Sequence, residues 1–270
     1  MNTVDANHGW NWILTGFALF RKSAARWAFI VFSYIMLMQF LGMIPLLGWF
    51  FATLFIPAFS ASFMIVSREL DQGRELKIAL LFSGFTANLP ALLKQGGFYL
   101  ASALGILALS ALVDGGALFN MMVLGRKPAA AAFEDGSLAV SAALASTLYL
   151  PLLAAFWFAP ALSAWRAMPA FKAMFYSLFA VLRNWRAFLA YGLALLLLSL
   201  VCATALFALG LLMRAVLGSQ SQQAFLLVVL PVMLAYIPTM FASFYASYCD
   251  IFPEAEDAPA QSAPAQQPPQ

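Results

Sequence analysis

Six long apolar blocks constrain this chain more than any other feature of it. They run from about Trp27 to Ile44, Leu46 to Val66, Leu92 to Val113, Leu138 to Pro160, Ala187 to Met213 and Ala224 to Ser247. Each is near the ~20 residues that a helix needs to cross a hydrocarbon core. No alternating apolar and polar pattern suggests strands, and the roughly ten-residue alternating segments of a membrane barrel are missing. Composition agrees: hydrophobic residues make up 64% of the chain and charged residues 9%, whereas a soluble domain carries about 25% charged residues. The expected fold is all-α, a polytopic membrane helix bundle of six transmembrane helices. The first two blocks meet at a tight turn, Ile44-Pro45-Leu46-Leu47-Gly48, and the flanking Arg26 and Arg68 favour two full crossings.

The six blocks fall into three hairpins, each preceded by a short amphipathic segment. The segments share a Phe-led start: Phe17-Ala18-Leu19-Phe20-Arg21-Lys22, Phe85-Thr86-Ala87-Asn88-Leu89 and Phe179-Ala180-Val181-Leu182-Arg183-Asn184. The hairpins share an end, at Pro57-Ala58-Phe59-Ser60, Pro160-Ala161-Leu162-Ser163 and Pro238-Thr239-Met240-Phe241. This divides the six-helix domain, residues 1–252, into repeat-like units of about 9–76, 77–167 and 168–252. In the first segment Trp10, Ile13, Leu14, Phe17 and Phe20 form one stripe, and in the third Phe171, Met174, Phe175, Leu178 and Leu182 form another. Such stripes predict helices lying in the headgroup plane on the cytoplasmic side. The second segment is interrupted by Pro90, which should bend it. Residues 253–270 are rich in Pro, Ala and Gln, have no aromatic residue and predict a disordered cytoplasmic tail.

Charge sets the orientation. With six crossings, one side of the membrane holds eleven of the fourteen basic residues, leaving Arg126, Lys127 and Arg214 for the other. Basic residues are retained in the cytoplasm, so both termini are expected there, in a multi-pass protein of the bacterial inner membrane. The first block begins only at Trp27 and leads straight into a second, so a cleavable signal is not expected. Arg21, Lys22, Arg26, Arg183 and Arg186 fall beside the amphipathic segments and are the candidate headgroup contacts. Cys202 and Cys249 lie in different blocks at different depths, so no disulfide joins them in this reading.

Catalytic patterns fail one by one. The single histidine, His8, lies in the N-terminal segment, expected to be loose and remote from the bundle, which removes Ser-His and His-metal chemistry. There is no Gly-x-Ser-x-Gly elbow and no phosphate-binding glycine loop. Asp114, at the end of the third block in Asp114-Gly115-Gly116, reads as a turn residue that caps or ends a helix. The expectation is therefore no enzyme, no cofactor, no metal and no nucleic-acid partner. A transport path would need interior polarity, and Tyr34, Gln39 and Tyr236 are the candidates, with Gln39 taken as the most polar group in a span. Gly97, Ala101 and Gly105 form a small-residue ridge that predicts close helix packing.

Four short motifs carry a resemblance: Gly16-Phe17-x-x-Phe20-Arg21, Ile44-Pro45-x-x-Gly48, Pro57-Ala58-x-Ser60 and Leu80-Leu81-Phe82-Ser83-Gly84-Phe85. The layout resembles an uncharacterised family of six-span inner-membrane proteins of Gram-negative bacteria. The resemblance implies localisation and architecture, and it assigns no activity and no site. Two functional expectations remain. The first is a non-enzymatic scaffold, assembly or envelope-maintenance component that contacts membrane lipids, another membrane protein or a second copy of itself. The second is a small transporter or channel-like protein for a neutral or lipophilic substrate.

Overall fold

The computed structural model describes residues 1–44, 47–127, 130–218 and 221–253. The tail predicted to be disordered lies outside the described residues from Glu254 onward, as do Pro45 and Leu46 of the first tight turn. Among the described residues there are helices, turns and no strand. The short helix α1 (Asn7–Lys22) leads into α2 (Ala24–Gly42) and α3 (Leu47–Asp71). A 3₁₀ turn (Ile78–Phe82) and α4 (Ser83–Thr86) then precede α5 (Leu89–Asp114), α6 (Ala117–Leu124), α7 (Ala130–Glu134), α8 (Ser137–Trp157) and α9 (Ala159–Arg166). Finally α10 (Ala170–Arg183) leads into α11 (Trp185–Leu217) and α12 (Ser221–Ile251).

Six of these stretches are long and apolar enough to cross a membrane, with α8 and α9 together forming the fourth. Helix α2 has 19 residues, about 28 Å at 1.5 Å per residue, which matches a hydrocarbon core. The helix α3 holds the centre: 56% of its most apolar window is buried, against none of that of α11. Pro90 departs from expectation. It sits in the first turn of α5, where a missing N–H costs nothing, and so opens the span instead of bending it. Asp114 caps the next helix, its carboxylate accepting the backbone N–H groups of Gly116 and Leu118 at 2.8 Å each.

The short helices hold the hairpins to one another. Helix α1 lies on α12 and α11, the 3₁₀ turn and α4 lie on α3, and α10 lies on α8. Each thus docks on the second long helix of a different hairpin, and the three contacts close a ring. The docking points resemble one another chemically. Gly16 faces the backbone of α12 just past Pro238, where a Cβ would stand 2.6 Å from the Thr239 carbonyl. Gly84 faces α3 just past Pro57, its N–H donating to the Ser62 Oγ at 2.9 Å, and that hydroxyl donates to the Ala58 carbonyl at 3.0 Å. In the third contact the Ser177 Oγ accepts the Phe158 N–H and donates to the Ala154 carbonyl, both at 2.8 Å, bridging the break between α8 and α9. Backbone groups within a bilayer have no water to turn to, and here a neighbouring unit supplies the partner.

The N-terminal segment is tied down, contrary to expectation. The Asn2 N–H donates to the Ile251 carbonyl at 2.8 Å and the Val4 N–H to the Asn184 Oδ1 at 2.8 Å. His8 opens α1 with its Nδ1 2.8 Å from the Asp250 carboxylate, which also accepts the Trp12 Nε1 at 2.7 Å. The anchoring polar groups sit on α11 and α12, two hundred residues and more away in sequence from some of their partners, which is why local composition gave no hint of them. The predicted small-residue ridge also behaves differently. A Cβ on Gly97 or Gly105 would meet nothing, while the neighbouring Gly96 abuts the Leu54 carbonyl of α3.

These contacts give a direct prediction. Gly84→Ala drives a methyl into the Ala58 carbonyl and should cost about 1–3 kcal/mol as an overpacked site. Gly97→Ala has open space and should leave the unfolding midpoint of detergent-purified protein unchanged. Equal midpoints for the two variants would refute the docking contact.

Candidate functional site

At the end of the bundle that carries the termini, the candidate headgroup residues stand exposed beside the short helices. Lys22 lies 3.6 Å from Asp71 and Arg26 lies 2.7 Å from Glu75. Both pairs are open to solvent, so they are weak and leave the cations available to a stronger anion. Arg183 donates to the Thr3 Oγ1 at 3.2 Å. Arg21 and Arg186 stack over Phe17 and Trp185, and neither makes an ion pair among the described residues. Nearby, the Arg74 guanidinium donates a two-pronged hydrogen bond to the Glu69 carboxylate, which holds the guanidinium above its usual range.

The short helices carry two apolar faces where the sequence suggested one stripe. In α1 the buried face is Trp12, Ile13, Gly16, Leu19 and Phe20, while Trp10, Leu14 and Phe17 are exposed. Trp12 and Trp27 are among the most buried of the described residues. In α10 the separation is cleaner. Small residues, Ala170, Ala173, Ser177 and Ala180, turn inward, and Phe171, Phe175, Phe179 and Leu182 turn outward at helical spacing. Small residues bring α10 close to α8, so the large side chains are left on the free surface.

The three candidate interior residues do not come together. Tyr34 lies inside, its ring edge-on to Phe59 and Phe63. The Tyr236 hydroxyl pairs with the Ser199 Oγ at 2.7 Å, which links α12 to α11. Gln39 is exposed near the end of α2, so the polar group of the interior is another one. That group is Gln95, fully buried on α5. Its Nε2 donates to the Ala159 carbonyl at 3.1 Å and to the Ser163 Oγ at 2.7 Å, and its Oε1 is buried without a partner among the described residues. Asn88, one turn pair earlier on the same face, donates to the Ser163 carbonyl at 3.3 Å. The spacing of seven between Asn88 and Gln95 was the signal that would have found this face.

Tyr34 belongs instead to a cavity of about 210 Å³ among α2, α3, α5, α8 and α12. Its wall includes Pro57, Ser60, Phe63, Tyr99, Tyr149 and Trp157, and no acid, base or histidine lines it. The Tyr99 and Tyr149 hydroxyls bond to each other. No group of three or more His, Cys, Asp or Glu that could hold a metal occurs among the described residues.

Known proteins agree with this architecture. A probable inner membrane protein of Burkholderia thailandensis is 34% identical over 255 residues, covering 92% of each chain. The chain belongs to that protein's family. No family model matches it, and no solved structure does. Membership fits an inner-membrane protein with six long apolar helices, and the likeness extends over nearly the whole of both chains.

The exchange of Gln39 for Gln95 can be tested by stability. Gln95→Leu removes the buried hydrogen bonds to the Ala159 carbonyl and the Ser163 Oγ and should cost about 1–3 kcal/mol. Gln39→Leu, on an exposed face, should stay within about 0.5 kcal/mol of the parent. Equilibrium unfolding in mixed micelles measures both, and a larger loss at Gln39 would return it to the interior.

Proposed function

We propose that this protein is a non-enzymatic platform of the cytoplasmic membrane, with both termini in the cytoplasm. Its short helices and basic collar engage anionic lipid headgroups, and it serves as a scaffold, assembly or envelope-maintenance component. One observation carries the reading: α10 directs Phe171, Phe175, Phe179 and Leu182 away from the bundle, with Lys172, Arg183 and Arg186 exposed beside them. An aromatic face flanked by cations suits the boundary between headgroups and acyl chains. The cytoplasmic orientation rests on the excess of basic residues at the termini end. The paired Lys22 and Arg26 support the same reading, since phosphate can compete for exposed ion pairs.

A second reading, a small transporter or channel-like protein for a neutral or lipophilic substrate, is favoured by the uncharged cavity beside Tyr34. A flux assay separates it from the first. Protein reconstituted with phosphatidylcholine and a minor fraction of phosphatidylglycerol should retain the anionic lipid in native mass spectrometry. The double variant Arg183→Gln, Arg186→Gln removes about 2 kcal/mol of attraction at about 1 kcal/mol per cation, so retention should fall roughly thirtyfold. Unchanged retention would sink the platform reading, and solute movement through the reconstituted parent would favour the transporter.

A further inference from the structure

The cavity beside Tyr34 has a composition that selects its occupant. It opens sideways, because Ile56 of α3 and Leu153 of α8 both line it and both stand exposed on the outer surface of the bundle. It also lies deep. Tyr34 is ten residues into α2 from Ala24 and Phe241 is ten residues short of Ile251, so about 15 Å of helix separates the cavity from the termini end. That is half the thickness of a hydrocarbon core, and any mouth at this depth meets lipid.

Its polar groups are hydroxyls, each with an O–H proton to give. The hydroxyls of Tyr34 and Ser60 have no hydrogen-bond partner among the described residues. Of the Tyr99 and Tyr149 pair, one hydroxyl donates to the other and leaves one O–H proton over. These groups come from α2, α3, α5 and α8, so they converge on the space from several helices. A charged occupant would find no counter-ion in the lining. A plain acyl chain would leave every donor unpaired, which is costly in a dry site. The complement is a neutral molecule with a flat ring, for the aromatic walls, and carbonyl oxygens, for the donors. Size agrees, since a cavity of ~150 Å³ admits benzene and this one, at about 210 Å³, admits one substituted six-membered ring. A longer tail would stay outside, in the bilayer.

We propose that this cavity is a lateral binding site for the quinone-type ring of a neutral membrane lipophile, held by the Tyr34, Ser60 and Tyr99/Tyr149 hydroxyls. The site uses none of the basic residues of the platform, so either reading can fail while the other stands.

The test uses the full chain in phosphatidylcholine nanodiscs with two probes, decyl-ubiquinone and decylbenzene, titrated by calorimetry. Decyl-ubiquinone should bind saturably and at least tenfold more tightly than decylbenzene. Tyr34→Phe combined with Ser60→Ala should weaken the quinone at least tenfold and leave decylbenzene unchanged. Leu153→Trp fills the mouth of the cavity and should abolish binding of both probes, which decides the matter if the double variant fails to fold. No saturable binding, equal affinity for the two probes, or full binding to Leu153→Trp overturns the proposal.

Discussion

Backbone groups that leave a helix within a bilayer must find partners inside the protein, and this fold is organised around that need. The second long helix of each hairpin is interrupted or proline-bearing near its middle: Pro57 in α3, the break at Phe158 between α8 and α9, and Pro238 in α12. A short helix from another hairpin covers each of these places with a glycine or a serine. At Gly84 and Gly16 the absence of a side chain lets backbone meet backbone, and at Ser177 the hydroxyl fills the gap left by the broken ladder. The short helices add to the direct contacts between hairpins, those of α3 with α5 and with α12 above all, and such close packing matters because no hydrophobic driving force acts between helices surrounded by lipid tails.

The packed core therefore sits near the termini end. Trp12, Trp27, Phe63, Phe158 and Leu162 are nearly inaccessible and belong to one cluster drawn from α1, α2, α3, α9 and their neighbours. Farther from the termini the helices thin out. Much of α5, α8 and α11 faces outward there, with Leu112, Val140 and Phe207 all exposed. Such side chains are at home against acyl chains, so the same composition that makes this surface insoluble in water makes it stable in a membrane. The basic collar and the aromatic outer face of α10 are consequences of where the core lies: side chains that cannot enter it project from the termini end of the bundle.

How much of this was legible in the sequence follows from the range of the forces involved. A bilayer acts on every residue of a span, so hydropathy alone located six spans, and their ends differ from the observed helices by only a few residues. The fourth span is the exception, because its helix breaks at Phe158, two residues before the proline that was expected to mark its end. Which face of a span turns inward depends on neighbours, and in an apolar helix the pattern is too even to tell. Gln39 and Gln95 look alike as polar residues in apolar blocks, yet only Gln95 has the Ser163 hydroxyl within reach. In α1 apolar residues fall on more than one side of the helix, so a single stripe could be drawn through Trp10, Leu14 and Phe17 while the buried contacts ran along Trp12, Gly16 and Leu19.

The collar and the cavity also obey different electrostatic rules, which argues that they are separate devices. At the collar, water and salt screen the charges, and the exposed pairs of Lys22 and Arg26 can exchange partners at small cost. In the cavity a charge would be prohibitive, but an unpaired O–H keeps a strong preference for an acceptor because nothing nearby competes for it. Tyr34 joins the cavity to the core through Phe59 and Phe63, and Phe63 stacks on Phe241 of α12 at 4.0 Å. An occupant of the cavity would thus press on α3 and α12, which are two of the three helices that receive a docked short helix.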